Sequence, residues 1–407
     1  MDTSDFELIT SEEGQAFLQA HEHSDPNQLV LNPPKKDYPE VSKNIRLFVD
    51  QLISQKKAVK KLPSWKATPG LVYPPPLSLE QSSSEETATY KKELIRGKTL
   101  VDLTGGMGID CMALSENFEE THYVEKNPDL CAVFIHNAKQ LGKEAIHVNH
   151  TEASDFLARR KAQAGTCFYF DPARRGENNS KVFKLTDCEP DASQLVPRIL
   201  EKGATSLIKT SPMLDVDLAL SELTNVKEVH LVAVKNELKE VLYLIQPDWE
   251  EEPSMIAVNL ARDKQEFNFR KSEEANADST IGSVQNWLYE PNVAVMKAGA
   301  YKLIGQQFGL TKLDVNSHLY TSKELVPGFP GRIFEVIEEM TKSNLKKLLP
   351  DQKANIITRN YPLTPDQLKK KYKLKDGGEY FVIGMRSLGK PLLLLCKQIE
   401  KNVILEK

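Results

Sequence analysis

With 407 residues, 40% of them hydrophobic and 27% charged, the chain is long enough for two or three domains with a sizeable core. Its longest aliphatic run, Leu392 to Leu395, is far too short to cross a bilayer, and Met1-Asp2-Thr3-Ser4-Asp5 is acidic where a leader would be basic and then apolar, so a soluble, cytoplasmic protein is expected. The five cysteines (Cys111, Cys131, Cys167, Cys188 and Cys396) are odd in number, scattered and without a Cys-x-x-Cys pair, which favours reduced core thiols over disulfides or zinc.

The first hundred residues read as helices broken by proline. Apolar Ile45, Leu47, Phe48, Leu52 and Ile53 recur at helical spacing until Leu62-Pro63-Ser64-Trp65 and Tyr73-Pro74-Pro75-Pro76 interrupt the pattern. A second helix is predicted from about Ser84 to Leu94, N-capped within Ser82-Ser83-Ser84, with Glu85 and Glu86 in the first turn where the helix dipole favours them. From Thr99 to about Arg262, strand and helix alternate. This predicts a parallel sheet covered on both faces, with strands at 99–103, 121–125, 145–148, 166–170, 205–209, 229–234 and 255–260. Asn127-Pro128 starts a helix with proline at its first position, and Gly142 ends it. Polar sequence from Lys271 to Thr280 reads as a linker. A small unit follows from about Ile281 to Leu319, and after the Pro327-Gly328-Phe329-Pro330-Gly331-Arg332 turn a final α+β module runs to the end.

Three segments carry chemistry. In Val101-Asp102-Leu103-Thr104-Gly105-Gly106-Met107-Gly108 an apolar strand ends in an acid and a glycine-rich turn leads into a helix near Ile109-Asp110, the geometry of a nucleotide loop. Glycines let the backbone approach a ligand closely, and free N–H groups at the helix start favour a carboxylate. In Tyr123-Val124-Glu125-Lys126, Glu125 ends the next strand at the distance ribose recognition requires, and its two oxygens match the 2′ and 3′ hydroxyls. The third segment, Phe170-Asp171-Pro172-Ala173-Arg174, ends the fourth strand beside the crevice where a methyl acceptor would lie. A dehydrogenase has no reason to place Asp-Pro there, so the set reads as an S-adenosylmethionine (SAM) site and not an NAD site. Asp102 is then the acceptor for the methionine ammonium. Glu152 is the first choice for the adenine amino group and Asp155 the alternative, each with helix capping as the plainer role. His147 and His150 have no third ligand in sequence, so no metal site is expected.

The net charge of −4 averages over unequal regions. Residues 341–375 hold nine lysines and one arginine against two aspartates, and residues 34–66 hold eight lysines and one arginine against three acids. Two basic segments around an acidic body suit RNA held by its backbone, and they equally suit solvated helix faces.

At these residues the chain resembles a group of bacterial class I SAM-dependent methyltransferases with a THUMP-like C-terminal domain. The resemblance spans nearly the whole chain. It rests on Leu62-Pro63-Ser64-Trp65, Leu77 to Glu85, Asp102 to Gly108, Asp171 to Arg175, Asn316 to Ser322 and Arg359-Asn360-Tyr361-Pro362-Leu363. It implies an N-terminal helical region (1–95), a seven-stranded Rossmann-like α/β methyltransferase core (96–270), a small ferredoxin-like domain (271–320) and a THUMP-like domain (321–407). THUMP domains elsewhere bind tRNA, so the resemblance implies RNA, a tRNA or rRNA, as partner and SAM as cofactor. The cofactor set is then Asp102, Thr104, Gly105, Gly106, Gly108, Asp110, Glu125, Lys126, Glu152 and Asp171, with Asp171, Pro172 and Arg174 catalytic.

An acid followed by proline offers a side-chain oxygen and a backbone carbonyl to the hydrogens of an amine. Base aminomethylases continue with an aromatic residue, whereas here Ala173-Arg174 follow. Asp-Pro-Ala-Arg also resembles RNA 5-methyluridine enzymes, but their cysteine after the next strand is missing from Lys209-Thr210-Ser211-Pro212-Met213-Leu214-Asp215, which favours transfer to a nitrogen. Arg174 and Arg175 could clamp a phosphate or pin the loop internally, and Lys209 and Lys235 could reach substrate or lie on the surface. Trp65, Tyr73 and Tyr361 could stack on bases, with core packing the stronger expectation. Rival readings are a noncatalytic RNA-binding protein on a SAM-binding scaffold, a methyltransferase of another acceptor, and an NAD-dependent oxidoreductase.

Overall fold

The computed structural model describes residues 2–161, 164–174 and 184–399. The chain divides into two compact units, Met1–Val229 with Glu240–Glu252, and His230–Lys239 with Pro253–Lys407.

The first unit is a Rossmann-like α/β layer structure. Its strands are β1 (Gly97–Asp102), β2 (Phe118–Glu125), β3 (His147–His150), β4 (Thr166–Phe170) and β5 (Thr205–Thr210). The division between the units runs through the hairpin of β6 (Val226–Val234) and β7 (Glu237–Ile245). Strand order in the first unit is β3-β2-β1-β4-β5-β7. Neighbours from β3 to β5 pair in parallel, and β7 returns antiparallel to β5. All five residues of β4 are buried, as are the last four of β1, so both strands read as continuous apolar runs.

Two sequence expectations need correction here. The strand expected at 145–148 lies at His147–His150, and the run Glu237–Ile245 was not expected as a strand at all. It forms because Lys235 and Asn236 both take positive φ, 50° and 64°, the backbone of a tight two-residue hairpin turn. Lys-Asn is not the Asn-Gly or Asp-Gly pair that announces such a turn, so the run had no visible start. The seventh strand of the core is therefore β7, and the strand expected at 255–260 belongs to the second unit.

The helical first hundred residues share the core of the first unit. Ala58, Leu62, Trp65, Leu71, Tyr73 and Leu79 pack in one cluster with Ile109, Met112, Tyr123 and Phe134. The extended segment around Val72 and Tyr73 is held by amide side chains acting as surrogate strand partners. Gln51 bonds both backbone groups of Tyr73 at 2.7 and 2.9 Å, and Asn137 bonds both of Val72 at 2.8 and 2.9 Å. Trp65 and Tyr73 are buried core residues, as their plainer reading had it.

The helix Glu85–Leu94 starts as expected, with Ser84 capping the Thr87 N–H. It carries a lysine with no exposed side-chain surface. Lys91 donates to both carboxylate oxygens of Glu240 on β7, at 2.7 and 2.8 Å, and lies 3.2 Å from Asp110. A buried ammonium is tolerated only inside such a set of acceptors.

In the second unit β8 (Ser254–Leu260) pairs antiparallel with β9 (Gln265–Arg270). The expected linker begins with a helix, Lys271–Asn276, whose Glu274 carboxylate accepts the backbone N–H groups of Lys302 and Leu303 at 3.0 and 2.8 Å. A seven-stranded sheet follows, built from β10 (Trp287–Pro291), β11 (Thr311–Lys312), β12 (Tyr320–Ser322), β13 (Gly331–Glu339), β14 (Asn355–Arg359), β15 (Tyr380–Ser387) and β16 (Lys390–Gln398). Its order is β11-β12-β10-β13-β16-β15-β14. Buried Glu290 on β10 receives Arg332 of neighbouring β13 at 2.7 Å and Arg359 of edge strand β14 at 2.6 Å, tying the middle of this sheet to one edge through one carboxylate.

Replacing Lys91 leaves the buried Glu240 carboxylate without the ammonium that both its oxygens accept from. Lys91→Met is expected to destabilise the first unit by about 3–5 kcal/mol, and Lys91→Met with Glu240→Leu to recover most of that loss. Urea unfolding followed by far-ultraviolet circular dichroism measures both.

Candidate active site

The C-terminal ends of β1, β2 and β4 converge on the glycine loop. Asp102, the last residue of β1, is buried and accepts the Thr104 N–H at 3.0 Å. Burial pushes its carboxyl well above the usual carboxylate range, and the neighbouring Asp110, Asp171 and Glu125 charges add to the rise against the Thr104 hydrogen bond. A carboxylate so placed calls for a cation.

The loop has to be glycine for reasons seen in its floor. A side chain at Gly105 would overlap the Tyr123 ring, and one at Gly108 would overlap Phe134. Gly106 and Gly108 also take positive φ, 53° and 76°. Tyr123 and Phe134 stack with ring centroids 3.8 Å apart, and the Tyr123 hydroxyl donates to the Gly106 carbonyl at 2.6 Å. The aromatic pair thus fixes the loop from below.

Glu125, at the end of β2, accepts the Gly106 N–H at 2.9 Å on one oxygen and the Asn127 N–H at 2.8 Å on the other. The loop and the end of β2 are locked together, and each oxygen keeps lone-pair capacity for a hydroxyl. Asn127 caps the helix Pro128–Gln140, whose proline stands at the first position as expected. The Asp171 N–H, just past β4, donates to the Thr104 hydroxyl at 2.7 Å. The acid-proline pair therefore sits directly against the loop. Pro172 is buried, and Ala173–Arg174 continues as a two-residue ribbon with Cys188–Glu189. Arg175 lies outside the described residues.

Other residues singled out in the sequence go elsewhere. Asp110 faces inward, where Tyr169 donates to it at 2.6 Å and Ser83 at 2.7 Å. Burial would raise its pKa, but Lys91, Lys209 and these two donors outweigh burial and hold it below the usual value. Lys126 is exposed and pairs with Glu189 at 2.5 Å. Glu152 is exposed and stands at the N-cap of Ala153–Arg159 without bonding the helix through its side chain, and Asp155 is exposed in the first turn. Lys209, the penultimate residue of β5, is buried and makes an ion pair with Asp171. Lys235 lies in the exposed β6–β7 turn. His147 stacks on His122, and His150 contacts the Lys126 carbonyl at 3.1 Å. Tyr361 is half-buried and packs over Gly384.

The residues present fit a nucleoside-sulfonium cofactor. A buried acid with no cation partner among the described residues stands at the end of β1, a cradle admits no Cβ, and a second acid stands at the end of β2. This sheet order with this loop defines a SAM-dependent methyltransferase of the Rossmann-like class.

Comparison with known proteins agrees. A ferredoxin-like domain family matches residues 287–330, and a THUMP domain-like family matches residues 331–398. The chain is 33% identical to a protein of Porphyromonas gingivalis W83 assigned as a methyltransferase. That crystal structure superposes with a TM-score of 0.83 over 98% of this chain and 100% of its own. The chain belongs to the same family. It is also 22% identical over 333 residues to uncharacterized SAM-dependent methyltransferases of two Mycobacterium tuberculosis strains, CDC 1551 / Oshkosh and ATCC 25618 / H37Rv, covering 79% of this chain and 87% of theirs. SAM is its cofactor.

Gly108→Ala adds a methyl group against Phe134 at a left-handed position. The expected cost is about 2–4 kcal/mol of stability together with loss of SAM affinity. Urea unfolding and isothermal titration calorimetry with SAM check the two effects.

Proposed function

We propose that this methyltransferase modifies a base nitrogen in structured RNA, a tRNA or an rRNA. Asp102, Thr104, Gly105, Gly106, Gly108, Glu125 and Glu152 hold the cofactor, and Asp171 with Pro172 presents the acceptor. Asp110 supports the loop from within, and Lys126 braces the ribbon that follows Asp171-Pro172. The observation that carries this reading is the hydrogen bond from the Asp171 backbone to Thr104, which sets an acid and a proline carbonyl beside the cofactor loop.

Bound SAM supplies an activated methyl group on a sulfonium. The acceptor nitrogen attacks in line, its lone pair forms the N–C bond, and the S–C bond breaks to leave a neutral thioether. Alignment is the protein's main contribution. The Asp171 carboxylate and the Pro172 carbonyl accept the hydrogens of the attacking nitrogen and aim its lone pair, and Asp171 is placed to take the proton released.

Covalent attack on a pyrimidine carbon lacks a nucleophile. All five cysteines are buried thiols outside any disulfide among the described residues. Burial pushes the thiols of Cys167 and Cys396 up to about 12 and that of Cys131 up to about 11, away from the reactive thiolate. The acceptor class is supported by the THUMP-like domain and by its charge. Lys342, Lys346, Lys347, Lys353, Lys370, Lys371, Lys373 and Lys375 are all exposed. In the basic N-terminal segment, by contrast, Lys43, Lys57 and Lys66 are paired with Glu40, Glu80 and Glu22. The C-terminal lysines are thus the better phosphate surface, and an RNA acceptor is in keeping with a cytoplasmic enzyme.

Transfer of labelled methyl from SAM to RNA from cells lacking this protein, with DNA and protein extracts in parallel, tests the acceptor. The expected result is label in a discrete tRNA or rRNA band that disappears with Asp171→Ala. Label in protein or DNA would overturn the RNA reading, and SAM binding without any transfer would favour the noncatalytic scaffold.

Asp102 generates a second expectation. Its pKa is raised in the free protein, so pairing with the methionine ammonium requires loss of a proton, and SAM affinity rises with pH over the range above 3.8. Calorimetry in buffers of different ionisation enthalpy should show proton release on binding that Asp102→Asn abolishes.

A further inference from the structure

Behind Asp171 lies a chain of buried charges. Side-chain exposure rises along it, from 0% at Lys91 and 3% at Glu240 to 11% at Asp110 and Lys209 and 40% at Asp171. The front carboxylate is the member of the chain most open to an acceptor. Lys209 joins it to the rest, pairing with Asp171 Oδ2 while standing 3.9 Å from Asp110 Oδ2.

The rear of the chain decides which way Lys209 leans. At Asp110, Tyr169 and Ser83 both donate to Oδ2, the oxygen nearer to Lys209, while buried Oδ1 has the Lys91 ammonium 3.2 Å away and makes no hydrogen bond among the described residues. Lys91 is itself fixed by both oxygens of Glu240. The Asp110 oxygen that faces Lys209 thus already has two donors, and the Lys209 ammonium stands 3.9 Å from it while engaging Asp171 directly. The backbone of Asp171 is held by Thr104, one carboxylate oxygen is held by Lys209, and Oδ1 has no partner among the described residues. Burial opposes the charged form of Lys209, but the Asp171, Asp110 and Glu240 carboxylates outweigh it and raise its pKa above the ordinary lysine value, so the ammonium persists throughout the working range.

We infer that Lys209 is a positioning residue for methyl transfer: braced from behind by Asp110 and the Lys91–Glu240 pair, it fixes the Asp171 carboxylate with Oδ1 turned to the acceptor nitrogen. This inference rests on the reading of Asp171 as the acid that faces the acceptor. Without Lys209 the carboxylate is free to sample other rotamers, and a displacement of about 1 Å at such a group costs up to about 100-fold in rate.

The test has two arms. In the first, Lys209→Met and Lys209→Arg are assayed for methyl transfer to RNA from cells lacking this protein, alongside calorimetry with SAM and thermal unfolding. Lys209→Met should lower kcat about 10–100-fold with KM and SAM affinity within about threefold of wild type, and Lys209→Arg, which keeps the cation, should restore most of kcat. Wild-type kcat in Lys209→Met, or a loss that merely follows lost SAM affinity or a lowered melting temperature, would overturn the inference. The second arm needs no acceptor. In protein labelled with ¹⁵N-lysine, the Lys209 ammonium resonance, assigned by its absence in Lys209→Met, should move in Asp171→Asn. An unmoved resonance overturns the pairing. Wild-type protein that methylates no RNA defeats the RNA reading instead, and the resonance alone then decides the pairing.

Discussion

An ammonium stripped of all water can exist only where carboxylates replace its hydration, and the first unit is arranged around one such group. Lys91 belongs to a helix that precedes the sheet, Glu240 to the last strand of the first unit, and Asp110 to the helix that follows the glycine loop. One side chain thereby joins the start of the unit, its far edge and its chemistry. Exchanged for apolar residues of similar size, the pair itself would be dispensable for stability. Its retention makes sense if its geometry serves the acids beside it, where the positions of Asp110 and Lys209 matter more than the energy of burial.

The glycine loop is governed by a different constraint, volume. Tyr123 and Phe134 fill the space in which side chains at positions 105 and 108 would have to stand. The glycines are required by the protein's own floor before any ligand arrives, and the loop is held over that floor by its own N–H groups, with Gly105 donating to the Val124 carbonyl at 2.9 Å, Gly106 to Glu125 at 2.9 Å and Gly108 to the Gly105 carbonyl at 2.8 Å.

This division explains what was legible in the sequence. The glycine loop, the acids at 102, 125 and 171, the capped helix after Ser84 and the proline-led helix after Asn127 are local patterns, each set by a few adjacent residues, and each was readable. What escaped was decided at a distance. Lys91-Lys92 looks like an ordinary charged helix face, and only a partner on β7 determines that Lys91 is buried while Lys92 pairs with exposed Glu116. The strand Glu237–Ile245 was hidden by a Lys-Asn turn, and the helix Lys271–Asn276 by an acid whose partners lie at Lys302 and Leu303. Asp110 reads as part of the cofactor loop in sequence, yet its oxygens face a network assembled from Ser83, Lys91 and Tyr169.

The span between Lys91 and Glu240 also imposes an order in time. The two residues are 149 positions apart, so a ribosome working at roughly 5–20 residues per second adds Glu240 about 7 to 30 seconds after Lys91. Throughout that interval the nascent helix carries an ammonium that must stay hydrated. Its apolar neighbours cannot close over it until the last strand emerges. The helix Glu85–Leu94 is consequently sealed only once the strand Glu237–Ile245, made far later, is in place.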